Sequence, residues 1–201
     1  VIMKNKEIQE KRMKEYFIRA TKEILKSEGI KSISVRNISE QAGYSYTTLY
    51  NYFKDINDLI FYCVNDFNEE CKLFVENQTK ENLLGKEKFR AKIIAYINYF
   101  IEYPSIFELF YIERMGDFGN KQTTINIISN SLDDIYVEEL NYCINQNLIR
   151  PEKVEIVKSQ FKYVVSGLLL LYLNRMIPIS YEEFQNQVNV HIDSLLEVLF
   201  N

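Results

Sequence analysis

The chain has 201 residues, of which 47% are apolar and 26% charged, and this composition fits one large or two small globular domains and excludes a disordered chain. The net charge is −4, but its sign is uneven: residues 1–54 hold eleven Lys/Arg against six Asp/Glu (+5), and residues 55–201 hold thirteen against twenty-two (−9). A basic first quarter on an acidic body fits an electropositive binding face attached to a domain with another task.

Helical periodicity dominates, with no alternating strand pattern and no internal repeat. Met13, Phe17, Ala20 and Ile24 recur at helical spacing, and Gly29 closes that first helix as a left-handed cap. Ser34 reads as the N-cap of a short helix over 35–42 closed by Gly43, and Ser45 caps another over 46–52. Asp55 and Asp58 resemble a capping box for a fourth helix over about 56–79. Further helices are expected over 85–103, over 104–115 with Pro104 as first residue, and over about 121–148. Two more, over about 153–177 and 181–200, are separated by Pro178. The expected fold is all-α with about nine helices and no Gly-, Ser- or Pro-rich linker.

The stretch "AGYSYTTLYNYF" (42–53) packs polar aromatics and hydroxyls into a dozen residues. Two short helices joined by a tight Gly-containing turn have the geometry of a helix-turn-helix, whose second helix enters the major groove. Val35, Ile38, Ala42, Leu49 and Phe53 can face inward, with Ala42 small where the helices cross. That leaves Ser45, Tyr46, Thr47, Thr48, Tyr50, Asn51 and Tyr52 mostly outward. Hydroxyls and an amide there suit phosphate oxygens and base edges, helped by the free N–H groups of a helix start.

Residues 21–60 resemble the N-terminal domain of the TetR family of bacterial repressors. The resemblance rests on Gly29, Ser34-Val35, Ile38, Ala42-Gly43, Ser45, Thr48-Leu49-Tyr50, Tyr52-Phe53 and Leu59 in matching order and spacing. It implies that Ser34 and Arg36 meet the DNA backbone and that Ser45, Tyr46 and Thr47 approach bases. It also implies that Thr48, Tyr50, Asn51, Tyr52 and Lys54 hold or adjoin phosphates. Thr47 stands where the family often has Gly or Ala, Tyr46 is bulky for a base-reading position, and Ile56 takes the place of a phosphate-touching lysine.

Beyond residue 60 the likeness is architectural. The run "VVSGLLLLYL" (164–173) lies on a helix apolar on all sides, and the last helix carries Phe184, Val188, Ile192, Leu195 and Leu199 on one stripe. Together with Leu170 and Gly167 these fit the family's two-fold dimer, with intrachain core as the competing reading. Tyr103, Phe107, Phe110 and Phe161, within an aromatic-rich set, are expected to wall a site for a flat, aromatic or lipophilic effector; core filling competes here too.

His191 is the sole histidine, the cysteines Cys63, Cys71 and Cys143 lack CxxC spacing, and no phosphate-cradling glycine loop is present. The Asp-Phe-Gly run at 117–119 stands without other kinase elements. These features argue against an enzyme, a cofactor and a metal site. The charged N-terminus lacks a secretory apolar stretch, and the 164–173 run is half the length that spans a bilayer, so a cytoplasmic protein without membrane contact is expected. Heavy use of Ile, Asn and Lys suits an AT-rich bacterial genome.

The reading is a homodimeric, ligand-responsive repressor that binds a palindromic operator. Residues 1–54 form its DNA-binding domain and 55–201 its effector-binding and dimerisation domain. A TetR-like adaptor that binds a protein instead of DNA is the alternative.

Overall fold

The computed structural model describes residues 2–113 and 121–200, and among these every regular element is a helix. In chain order they are α1 (Ile2–Ser27), α2 (Val35–Ala42), α3 (Tyr46–Tyr50), α4 (Ile56–Gln78), α5 (Gly85–Glu102), α6 (Pro104–Phe107), α7 (Lys121–Asn145), α8 (Pro151–Leu173) and α9 (Tyr181–Phe200). A 3-10 turn, Ile30–Ser32, precedes α2, and α6 runs on as a π-helical stretch, Glu108–Ile112. The Asp-Phe-Gly run at 117–119 lies outside the described residues.

Local signals place most of the boundaries. Pro104 opens α6 as expected, and Pro151 likewise opens α8 two residues before the expected start, because proline's missing N–H is harmless in a first turn. Two helices end earlier than expected for one reason. Asn147 (φ 54°) and Arg175 (φ 55°) adopt the left-handed conformation without being glycine, and each turns the chain out of its helix. The Leu148 N–H then reaches back to Cys143 O at 2.9 Å and Met176 N–H to Leu171 O at 2.9 Å, the closing bonds of a C-terminal cap. No glycine marks these ends, so the pattern alone overran them.

The chain divides into two compact units, one of residues 1–69 and 103–129, the other of residues 70–102 and 130–201. In the first, Phe17, Ile24, Ile38, Leu49, Phe53 and Leu59 form a buried core. Phe17 and Phe53 meet edge to face at 6.3 Å. The end of α1 is also tied to α4 and to the start of α6: Lys22 pairs with Asp66 at 3.3 Å, and Lys26 Nζ lies 5.6 Å from the Phe67 ring and 5.0 Å from the Tyr103 ring.

In the second unit α8 packs on α9, and α5 packs on both. Phe89, Tyr136 and Phe161 make one aromatic cluster, with Phe89 and Tyr136 centred 4.5 Å apart. Tyr96 shares a 2.7 Å hydrogen bond with Ser131, so this buried phenol has the partner it needs. Arg90 on α5 binds Asp193 and Asn189 on α9. That hydrogen bond holds the Asp193 carboxyl below its ordinary range. Cys63, Cys71 and Cys143 are buried thiols outside any disulfide, and burial raises the thiol pKa of Cys71 and Cys143.

Candidate nucleic-acid interface

The helix pair α2–α3 is built by its caps. Ser34 is extended (φ −150°, ψ 156°), and its hydroxyl accepts from Asn37 N–H at 3.1 Å, starting α2. Gly43 ends that helix in the left-handed region (φ 75°, ψ 25°), a conformation that costs a side-chain-bearing residue energy. Two residues later Ser45 accepts from Thr48 N–H at 3.2 Å and starts α3. The turn between the helices is therefore three residues long, 43–45, as a helix-turn-helix requires. The α3–α4 corner is held reciprocally: Asp58 N–H donates to Asp55 at 2.8 Å, and the Asp58 carboxylate accepts from Lys54 N–H at 3.3 Å.

The faces separate as the pattern expects. Ile38, Leu49 and Phe53 are buried, with Val35 and Ala42 half-buried. Arg36, Ser45, Tyr46, Thr47, Tyr50, Asn51 and Lys54 are exposed, Tyr46 to 64% and Tyr50 to 51%, which is unusual for aromatic side chains. Ser34, Thr48 and Tyr52 are half-buried. The Ser45 and Thr48 hydroxyls share a 2.9 Å hydrogen bond, and Tyr52 packs on the core. These side chains hold the helix as well as facing its surroundings. Ile56 is the first residue of α4 and half-buried.

An open groove of about 700 Å³ runs between the outer face of α2 and the start of α3. Val35, Arg36, Ser39 and Glu40 line one side, and Gly43, Tyr44, Ser45 and Tyr46 the other. Tyr44 is braced from behind by Tyr16 and Phe17, with ring centres 5.8 and 5.9 Å away. Arg36 Nε donates to Glu40 Oε1 at 2.8 Å, and this hydrogen bond raises the arginine pKa. The Ser39 hydroxyl is buried without a partner. Ser39 and Glu40 were not among the expected site residues. Helical spacing contained the signal, since Glu40 stands one turn after Arg36 and Ser39 one turn after Val35.

The other expected residues fall apart into two groups. Tyr103, Phe107 and Phe110 belong to the first unit, the latter two buried, whereas Phe161 is fully buried in the second unit against Phe89 and Tyr136. On α9, Phe184, Val188, Ile192 and Leu199 are all buried within the chain itself, so this stripe is intrachain core, and only Leu195 is half-exposed. Tyr172 stacks on Phe184 at 4.2 Å as part of that core. The outward apolar surface comes instead from Ile156, Tyr163 and Leu170 on α8 and from Val190 and Val198 on α9, with Tyr163 76% exposed. Over its most apolar 18-residue window α8 has mean hydropathy 1.3, enough by length and composition to cross a membrane, and only 22% of that window is buried.

Comparisons with known proteins cover this helix pair and the all-helical fold around it. The family described as bacterial regulatory proteins, tetR family, matches residues 17–63. No curated protein sequence matches the chain. Among solved structures the chain is similar to a TetR-family transcription regulator from Marinobacter aquaeolei VT8, with TM-score 0.63 and 17% identity over 94% of this chain and 97% of that one. It is similar to RolR solved with resorcinol, with TM-score 0.70 and 12% identity over 95% and 89%. It is also similar to the regulator FadR of Bacillus subtilis solved with stearoyl-CoA, with TM-score 0.69 and 18% identity over 90% and 96%. The capped three-residue turn and the outward hydroxyl and amide face lie inside residues 17–63, the segment that matches the family of bacterial regulatory proteins, tetR family, and the all-helical fold around them is similar to that of solved TetR-family regulators.

Proposed function

We propose that the chain is a ligand-responsive repressor that binds a palindromic operator as a homodimer. The observation that carries the reading is the helix-turn-helix itself. Its second helix exposes Tyr46, Thr47 and Tyr50, with Asn51 exposed as the C-cap, while Leu49 alone within that helix is buried. Residues 1–54 act on DNA, and residues 55–201 answer an effector and join the two copies. The outward apolar patch of Tyr163 and Leu170 on α8 with Val190 and Val198 on α9 supports the second copy. A dimer sets its two recognition helices one helical turn of DNA apart, roughly 34–36 Å, and so reads a palindrome.

Structural relatives that hold resorcinol and stearoyl-CoA support a flat or lipophilic effector. Tyr103, Phe107 and Phe110, which share the first unit, are the residues nominated to meet it. Binding that prefers a conformer with another helix spacing lowers DNA affinity by the difference in binding energies, and operator DNA weakens effector binding by the same factor. Typical coupling of about 1–3 kcal/mol is enough to switch a gene.

Selection of genomic fragments by the purified protein tests the reading. Recovery of one enriched palindrome is the expected result. Recovery of no sequence above background overturns it in favour of the adaptor.

A further inference from the structure

We propose that Glu40 is a specificity-determining positioning residue, which holds Arg36 so that the guanidinium reads a guanine base edge rather than a phosphate. The inference rests on the DNA-binding reading above and assigns a base contact to α2 in addition to those of α3.

The geometry comes first. Arg36 and Glu40 stand one helical turn apart on the outer face of α2, their side chains 83% and 64% exposed. Glu40 takes the Nε–H of Arg36 at 2.8 Å. Arginine carries five N–H donors in a rigid plane, so fixing Nε leaves the two terminal nitrogens pointing outward as a fork. Both residues line the groove that Ser45 and Tyr46 close from the α3 side. A base edge presented to the start of α3 therefore also meets this fork.

Charge decides between the two targets. A phosphate approaching Arg36 meets the Glu40 carboxylate as well, and the pair carries no net charge, so the attraction that draws free arginines to the backbone is largely cancelled. A neutral base edge suffers no such repulsion. Of the four bases only guanine offers two acceptors, O6 and N7, side by side in the major groove, and these match the terminal nitrogens. The remaining carboxylate oxygen of Glu40 is an acceptor and suits the amino group of the cytosine paired to that guanine. Adenine presents a donor where the second acceptor is needed, and thymine presents a methyl group beside its one acceptor.

The experiment is a binding titration of the full-length protein and its variants against the selected operator, with every base pair replaced in turn, at several salt concentrations. Wild type is expected to show at least one G·C pair per half-site whose replacement weakens binding roughly 5- to 150-fold, the range of one bidentate contact. Arg36→Ala and Arg36→Lys should both flatten that preference, because an ammonium has no fork. Glu40→Ala should flatten it too, yet strengthen binding to unrelated DNA and steepen the log-affinity against log-salt slope by about 0.9 for each phosphate the freed arginine gains. Glu40→Gln, which keeps an acceptor for Nε, should retain the guanine preference while binding all sequences more tightly. Both side chains are exposed, so folding is not at stake, and far-UV circular dichroism checks it. An unchanged guanine preference and salt slope in Glu40→Ala overturns the proposal, as does a guanine preference that Arg36→Ala leaves intact. If wild type binds no duplex at all, the DNA-binding reading falls and this inference with it.

Discussion

Ser39→Ala should stabilise the protein. Ser39 sits inside α2 at 7% exposure, and its hydroxyl has neither a protein partner nor contact with solvent. A serine in a helix commonly returns its hydroxyl to the carbonyl one turn back, but this one does not. Burying an unsatisfied hydroxyl costs about 1–3 kcal/mol, and removing the oxygen removes that cost. Alanine adds about 0.5 kcal/mol through its better helix propensity. Against this stand the few contacts of one oxygen atom at about 0.1–0.2 kcal/mol each. The net gain is about 1–2 kcal/mol, which for a chain of this size raises the melting temperature by roughly 2–8 °C. Thermal melts followed by circular dichroism, at one fixed protein concentration so that self-association does not shift the midpoint, measure it. An unchanged or lower midpoint would refute the reasoning and show that the hydroxyl is satisfied in solution.

The exposed side of the second unit predicts that Tyr163→Glu with Leu170→Glu converts a dimer to a monomer, read by sedimentation velocity at micromolar concentration; unchanged sedimentation removes this patch from the interface. On DNA, Tyr50→Phe should weaken all sequences alike by about 2- to 10-fold, the loss of one hydrogen bond, while Tyr46→Ala should also relax base choice. Equal effects of the two on preferred and scrambled duplexes would count against Tyr46 as a reader. Burial, with Glu139 adding to it, pushes the Cys143 thiol up to about 11 from its ordinary 9.0, so at pH 8 it carries about a hundredfold less thiolate than in the unfolded chain. Iodoacetamide should therefore label it at least a hundredfold more slowly in native than in urea-unfolded protein, and near-equal labelling would mean that α7 opens readily.

What was legible in the sequence was what local chemistry determines. Ser34, Gly43 and Ser45 each act on the three or four residues beside them, and α2 and the start of α3 fell where those caps put them. Stripes were legible as stripes but not as destinations. The spacing of Phe184, Val188, Ile192 and Leu199 shows one apolar face of α9, yet only packing reveals that this face meets α5 and α8 of its own chain. The same limit applies to Phe161: aromatic density nominated it beside Tyr103, Phe107 and Phe110, while its ring contacts are Phe89 and Tyr136. Left-handed Arg175 was invisible because nothing in its side chain announces the turn, whereas Asn147 carried a weak signal, since asparagine is the residue that most readily follows glycine into that region.

The division of labour within α3 bears on how such a protein changes over generations. At five residues the helix is far below the roughly 12–15 that hold together alone in water, so it exists only because Ser45 caps it and Leu49 and Phe53 anchor it. Tyr46, Thr47, Tyr50 and Asn51 contribute little to that anchoring. Their substitution leaves the fold standing, with surface changes typically within about 0.5 kcal/mol. If these side chains read DNA as proposed, target preference is free to drift under mutation while stability is guarded elsewhere, and a duplicated copy of this gene can acquire a new DNA target without first passing through an unfolded intermediate.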